Sequence, residues 1–340
     1  MSLAWAYRFF VACIVSGVIT LVLGLAVFLN WGYQSFTGDD SGVLSVFARS
    51  SEATALASEE SRQQIGSGVA DEFKERLDRA EDSESVLSVL REFAGLHGLS
   101  IETQIAQKYQ QNVRGEETAE SDADGLRIFA QVFVDEISKY PKNTLADNGV
   151  KKFLLLSNPE VRDERGEYHF GGLAIAEDNQ IVLDYTDGQF EVGGETKYVD
   201  YPLSSRCESS DVNIRKGIHH EIWHLFDEEA LGYRDAGWSE LNDSGFRYSE
   251  PDTFAGFDVD YHNCRVVKGS DFTTPYAQID ALEDRADTYA YLMTTELYIP
   301  NRKFLEAENG QLRRKIAFIK KQLQAIDERM DERFFDNLHK

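Results

Sequence analysis

Positive charge, cysteine and, at one end of the chain, charge of any kind are the scarce features of this 340-residue sequence. Lys and Arg number 35 against 59 Asp and Glu, a formal net charge of −24. A surface that acidic repels phosphate backbones, so nucleic acid is not an expected partner. The plainest use of the excess is solubility. Three cysteines are too few for a disulfide scaffold or a multi-cysteine zinc module. Cys207 and Cys264 form a candidate pair if that part of the chain faces an oxidising compartment. No internal repeat is present. With 42% hydrophobic and 12% aromatic residues, the composition excludes wholesale disorder. The length suits one sizeable globular domain with an appendage, or two modest domains.

The first 38 residues carry one charged side chain, Arg8. Phe9–Leu29 is an uncharged run of 21 residues, at about 1.5 Å per residue long enough to cross a ~30 Å hydrocarbon core. A cleaved signal peptide has a shorter apolar stretch, of about 7–15 residues, followed by small residues at the cut. Here the run ends in Asn30-Trp31-Gly32-Tyr33, an interfacial aromatic pair. Residues 1–35 therefore read as an uncleaved transmembrane anchor. Arg8 precedes the span and Asp39-Asp40 follow it. The positive-inside tendency then places the bulk of the chain outside the cytoplasm, in a periplasm or at the cell surface.

Residues 36–68, rich in Ser, Gly and Glu, read as a tether. Apolar residues then recur at three- and four-residue steps, from Val69, Phe73 and Leu77 to Val86, Leu87, Leu90, Phe93 and Leu96. With the acidic segment Gly115 to Asp122, residues 69–122 read as a helical stalk and linker. From residue 123 to 340 the pattern is that of an α+β domain. An amphipathic helix spans Leu126–Tyr140, stopped by Pro141. Strands are expected over Lys152–Leu156, Phe170–Ala176 and Gln180–Tyr185, then helices around His220, over Ile279–Thr295 and over Lys303–Asn337.

The segment His220-Glu221-Ile222-Trp223-His224 concentrates the chemistry. Two histidines four apart share a helix face and can bind one Zn²⁺. Glu221 lies about 100° further round, where its carboxylate reaches a metal-activated water rather than the metal. That water must lose a proton to become a nucleophile, so a base belongs beside it. The flanking Ile218, Ile222, Trp223, Leu225 and Phe226 are uncharged and favour burial. A catalytic zinc takes three protein ligands and keeps one position open. No third histidine follows at short spacing, since Leu225-Phe226-Asp227-Glu228-Glu229 comes next. A downstream carboxylate is needed, and Glu283 is the candidate, with Asp284 the alternative. Glu283 and Asp287 lie four apart beside the apolar face Leu282, Ala286, Tyr289 and Met293, so one can bind metal while the other holds a ligand histidine from behind. His219 is expected to point away from the metal. His169 and His262 read as spare imidazoles. Trp238, Phe246 and Tyr248 either wall a cleft or pack on their own domain.

These residues carry a resemblance. The chain resembles gluzincin-type metallopeptidases and, within them, the branch of the anthrax lethal factor catalytic domain. His220-Glu221-Ile222-Trp223-His224-Leu225-Phe226-Asp227 matches that branch's H-E-x-x-H followed by an aspartate. Tyr276, seven residues before Glu283, and Asp287, four after it, match its tyrosine, ligand glutamate and second acid. Gly237 to Asn242 and Gly245 to Tyr248 are similar to bacterial proteins described as zinc-binding metallopeptidases. The similarity covers residues 125–300. It implies a small zincin-like sheet with an active helix and a second ligand-bearing helix. It also implies zinc on His220, His224 and Glu283, Glu221 as general base, and Tyr276 as donor to the oxyanion. In one departure the second acid is Asp287, where a glutamate is common.

The expected function is thus a membrane-anchored zinc endopeptidase acting on peptide or protein substrates. The competing expectation is a non-catalytic, zinc-stabilised module that binds a partner. Deleting residues 1–35 should move the protein from the membrane to the soluble fraction. Protease added to intact cells or spheroplasts should digest the full-length protein's C-terminal domain, and protection of that domain would overturn the topology.

Overall fold

The computed structural model describes residues 67–117, 123–163, 166–186, 189–192, 195–198, 211–232, 237–248, 272–273, 276–294 and 310–338. All lie in the compact unit Arg62–Lys340. The expected anchor Phe9–Leu29, residues 36–66 of the expected tether, Cys207, Cys264 and His262 fall outside the described residues, while Ser67 and Gly68 of the tether open the first helix. Among the described residues no helix is long and apolar enough to cross a membrane.

Among the described residues two helices come first, α1 (Ser67–Asp78) and α2 (Ser83–Leu96). α2 begins on a reciprocal cap: the Asp82 carboxylate accepts the Ser85 N–H at 2.8 Å, and Ser85 Oγ accepts the Asp82 N–H at 3.1 Å. Such a cap stabilises the helix by about 1 kcal/mol. The periodic residues Phe73, Leu77, Val86, Leu90 and Phe93 form buried stripes. They join one core with Leu126, Phe129, Phe133 and Ile137 of α3 (Ala123–Ser138), against which both helices pack. The helices expected as a stalk therefore bury their apolar stripes against this domain. A short helix, α4 (Thr144–Asp147), follows.

One mixed sheet holds six strands: β1 (Ser100–Glu102), β2 (Val113–Glu117), β3 (Lys152–Asp163), β4 (Gly166–His169), β5 (Gly172–Ile175) and β6 (Gln180–Asp184). Its main order is β1-β3-β6-β5. The first half of β3 pairs in parallel with β1 and β6, and its second half antiparallel with β2 and β4. Asn158, at φ 47°, marks the change of partner, in the left-handed region that asparagine tolerates. Phe153, Leu155, Ile181 and Leu183 face the helical core, while Leu154, Leu156 and Val182 form a second cluster with Val113. Burial on both faces explains why these two strands read as unbroken apolar runs. β1, β2 and β4 lack that signal, and Gly115 to Glu117 of the expected acidic linker belong to β2. β7 (Gln189–Val192) and β8 (Glu195–Tyr198) form a separate hairpin.

The 3-10 turn Ala176–Asp178 closes the β5–β6 hairpin, with Asn179 at φ 53°. β6 is flanked by β3 and β5, so among the described strands β5 is the edge on that side and β1 ends the order on the other. Among the described residues four more helices follow: α5 (Val212–Leu225), α6 (Ala281–Met293), α7 (Gly310–Ile326) and α8 (Glu332–Asn337). The single C-terminal helix expected from sequence is thus two. Asp331 caps α8 by accepting the Arg333 and Phe334 N–H groups at 2.9 and 3.1 Å.

His97, after α2, is 1% exposed and packs 5.2 Å from the Phe93 ring, with no hydrogen-bond partner for either ring nitrogen among the described residues. Burial, helped by the charge of Lys142, pushes its pKa down to about 4. The folded state then resists a proton that the unfolded chain accepts near 6.5. This contribution is complete above pH 6.5 and is lost as pH falls toward 4, by about 3 kcal/mol at most. In urea titrations His97→Leu should flatten the stability–pH curve over that window. A mutant curve parallel to wild type would contradict the assignment.

Candidate metal centre

α5 is buried nearly all round. Ile214, Ile218, Ile222, Trp223, Leu225 and Phe226 are 2% exposed or less. The histidine side is its open flank, with the His220 side chain 12% and His224 21% exposed. That flank meets α6, which begins at Asp280: the carboxylate accepts the Leu282 and Glu283 N–H groups at 2.8 and 2.9 Å. The cap fixes the turn from which Glu283 projects.

Three donor atoms converge. His220 Nε2 and His224 Nε2 are 3.1 Å apart, and Glu283 Oε2 lies 2.9 Å from the first and 3.5 Å from the second. Tetrahedral ligands at 2.0–2.1 Å from zinc stand about 3.3 Å from one another, so these separations fit one ion. Among the described residues Glu283 Oε2 finds no hydrogen bond of good geometry, although it is buried beside an imidazole. His220 Nδ1 meets Asp287 Oδ1 at 2.9 Å. With the proton on Nδ1, Nε2 presents its lone pair to the site. Burial disfavours charge on His220, but Asp287 and Glu283 outweigh it and hold its pKa well above the usual imidazole range. Likewise burial opposes charge on Glu283, yet the two imidazoles hold it well below the carboxylate range. A dication can take the place of that proton.

Glu221 turns out of this triad and is 8% exposed. Burial raises its pKa, the two imidazoles oppose the rise, and Glu283 adds to it. Its carboxylate accepts the Ala174 N–H of β5. Tyr276 stands with its ring 5.8 Å from that of His220. Although 41% exposed as a residue, its hydroxyl end is crowded. Burial and then Glu283, Glu221 and Asp287 push its pKa up, so it remains an O–H donor.

Other candidates fall elsewhere. Asp284 points away from the triad and accepts from Trp238 Nε1 at 3.0 Å, Tyr248 OH at 2.9 Å and Lys315 Nζ at 2.8 Å. Burial pushes its pKa up to about 6 against the pull of Lys315. Trp238 therefore packs on its own domain, while Phe246 meets Tyr248 edge-on and Phe272 at a tilt, and Phe246 and Tyr248 also line a surface cavity with Asn242 and Arg247. His169 Nε2 lies 3.3 Å from Asp184, apart from the triad. Asp227 forms a buried pair with Arg285, Oδ2 standing 2.6 Å from Nη2 and 2.9 Å from Nε. Losing one partner of such a pair costs about 3–5 kcal/mol.

Sequence reasoning missed Arg285, Glu136 and Gly172. His219, on the face away from the triad, meets Glu136 Oε2 and the Tyr140 hydroxyl, each at 2.6 Å, and Tyr140 meets Tyr289 at 2.5 Å. Arg215 and Lys139 flank Glu136. The available signal was a glutamate in an otherwise apolar helix stripe. Gly172 had the signal of a glycine inside a strand pattern, which marks close approach.

Metal titration should show one zinc per chain, with stoichiometric binding lost in Glu283→Ala and kept in the near-isosteric Asp284→Asn. Asp287→Ala should weaken affinity about 10- to 100-fold, as losses behind a ligand histidine do. Full occupancy in Glu283→Ala would remove Glu283 from the ligand set.

No protein-family model matches the chain, and no curated protein matches it. Among solved structures it is similar to one described as "a putative zinc-binding metallo-peptidase from Bacteroides caccae". The two are 16% identical, with 78% of this chain and 94% of that chain covered and a TM-score of 0.39.

Proposed function

We propose that this chain is a zinc-dependent endopeptidase of the gluzincin type, held on the membrane by Phe9–Leu29 with its catalytic domain outside the cytoplasm. One observation carries the catalytic reading: His220, His224 and Glu283 point donor atoms at a common centre, while Glu221 lies beside them outside the ligand set. A structural site has no use for that fourth group. Zinc bound there would supply Lewis acidity, lowering the pKa of water and polarising a carbonyl. Glu221 takes the proton from the attacking water and passes it to the leaving amine. Its raised pKa suits a group that must accept a proton and then release it. The Tyr276 hydroxyl donates to the carbonyl oxygen as negative charge develops. Asp287 holds the His220 ring and its tautomer.

An extended peptide would lie along β5, the edge strand beside Glu221, adding main-chain hydrogen bonds to the sheet. β6 is paired on both sides and offers no edge. The uncharged N-terminal run and Arg8 support the anchor.

Glu221→Gln separates catalysis from scaffolding, because the side chains are nearly isosteric while glutamine cannot accept the proton. Zinc content should stay at wild-type level, and hydrolysis of a broad peptide library should fall at least ~100-fold. Equal cleavage by both proteins would sink the mechanism. No cleavage by zinc-loaded wild type would favour the binding module.

A further inference from the structure

We propose that Gly172 on β5 is a positioning residue for Glu221: the side chain it lacks leaves the space that the glutamate carboxylate fills. The inference rests on the reading of Glu221 as the base. A Cβ at position 172 would stand 2.7 Å from Glu221 Cγ, 2.8 Å from Oε1 and 3.1 Å from Cδ. All three are closer than ordinary van der Waals contact at about 3.5–4.0 Å. The backbone does not call for glycine here, since Gly172 is absent from the residues with positive φ. Gly172 opens β5 and pairs with Leu183, where glycine carries an entropic cost relative to other residues. Its presence is therefore explained by what faces it. Gly217, on α5 itself, would meet nothing within 4 Å, so crowding is particular to the β5 side.

The same strand supplies a donor. Gly171 O accepts the Asp184 N–H at 2.9 Å, and the β5–β6 register pairs Gly172 with Leu183 and Ala174 with Ile181. Alternation of an antiparallel ladder then turns the N–H groups of Gly172 and Ala174 away from β6. The Ala174 N–H uses this freedom to hold the Glu221 carboxylate. One edge strand thus clears room for the base at one residue and grips it two residues later. The atoms that a Cβ would strike, from Cγ to Oε1, belong to one flexible side chain and not to backbone. Gly172→Ala should therefore fold, keep His220, His224 and Glu283 in place, and move only the Glu221 side chain.

The test uses the full chain as wild type, Gly172→Ala, Glu221→Ala and the double variant, each loaded with zinc. Zinc content should be equal in all four. Gly172→Ala should lower kcat about 10- to 100-fold, as small misplacements of a catalytic group do, with KM changed less than ~2-fold. In the Glu221→Ala background the same substitution should change the residual rate less than ~2-fold. Thermal unfolding provides a readout independent of hydrolysis. With the carboxylate removed, Gly172→Ala should raise Tm by about 2 °C, and with Glu221 present it should not raise it. If zinc-loaded wild type cleaves nothing, the base assignment fails, while the Tm comparison still decides whether Gly172 makes room for Glu221. Equal Tm shifts in both backgrounds would overturn the proposal, as would wild-type kcat in Gly172→Ala or a rise in KM at unchanged kcat. Unfolding of Gly172→Ala that the added Glu221→Ala repairs counts in its favour, and unfolding of both variants counts against it.

Discussion

The seam between α5 and α6 must hold several carboxylates away from bulk water, and most of the surrounding structure answers to that constraint. Asp227, Asp284, Asp287 and Glu221 are each less than one-tenth exposed. A buried charge without a partner costs several kcal/mol, so each needs its own answer. Asp227 takes Arg285, Asp284 takes Lys315 with two aromatic donors, and Asp287 takes His220. Glu283 and Glu221 remain, sharing two imidazoles. That remainder is the group to which a divalent cation would add most.

Apolar packing alone would not set the rotation of α5, because dispersion and hydrophobic burial are weakly directional. Trp223 and Phe226 pack on Tyr289 of α6, but such contacts tolerate some rolling of the helix. The polar contacts on opposite sides do not. His219 is locked among Glu136, Tyr140 and, through it, Tyr289, while Asp227 is locked to Arg285. Burial disfavours a charge on Glu136, yet Lys139, His219 and Arg215 together hold its pKa down at about 2. In a low-dielectric interior such a satisfied network has one good geometry. Rotating α5 would break it, so His220 and His224 stay turned toward Glu283.

Around this seam the elements divide the work. α6 is fixed at its start by the Asp280 cap and braced along its length by α7, through Lys315. Lys315 is itself fully buried, with its ammonium 3.7 Å from the Phe272 ring centre, a contact favourable to a desolvated cation. The sheet contributes through its edge, where β5 lies against Glu221.

Several features were decided by the sequence by itself. Two histidines four apart share a helix face through the 3.6-residue period, whatever surrounds them. Glu283 and Asp287 share a face for the same reason, and continuous apolar runs mark β3 and β6 because both strand faces are covered. These are local regularities, legible without knowing what lies across the core. The tertiary structure alone decided which acid lies beside the histidines, since adjacent Glu283 and Asp284 both offer a carboxylate and only the packing turns one toward His220 and the other toward Lys315. It also decided that α1 and α2 pack into the core, that β5 rather than β6 is the edge, and that Gly172 faces Glu221. Glu136 stands 83 residues before the histidine it binds. No periodicity spans that distance, because side-chain pairing across a core depends on how whole elements stack.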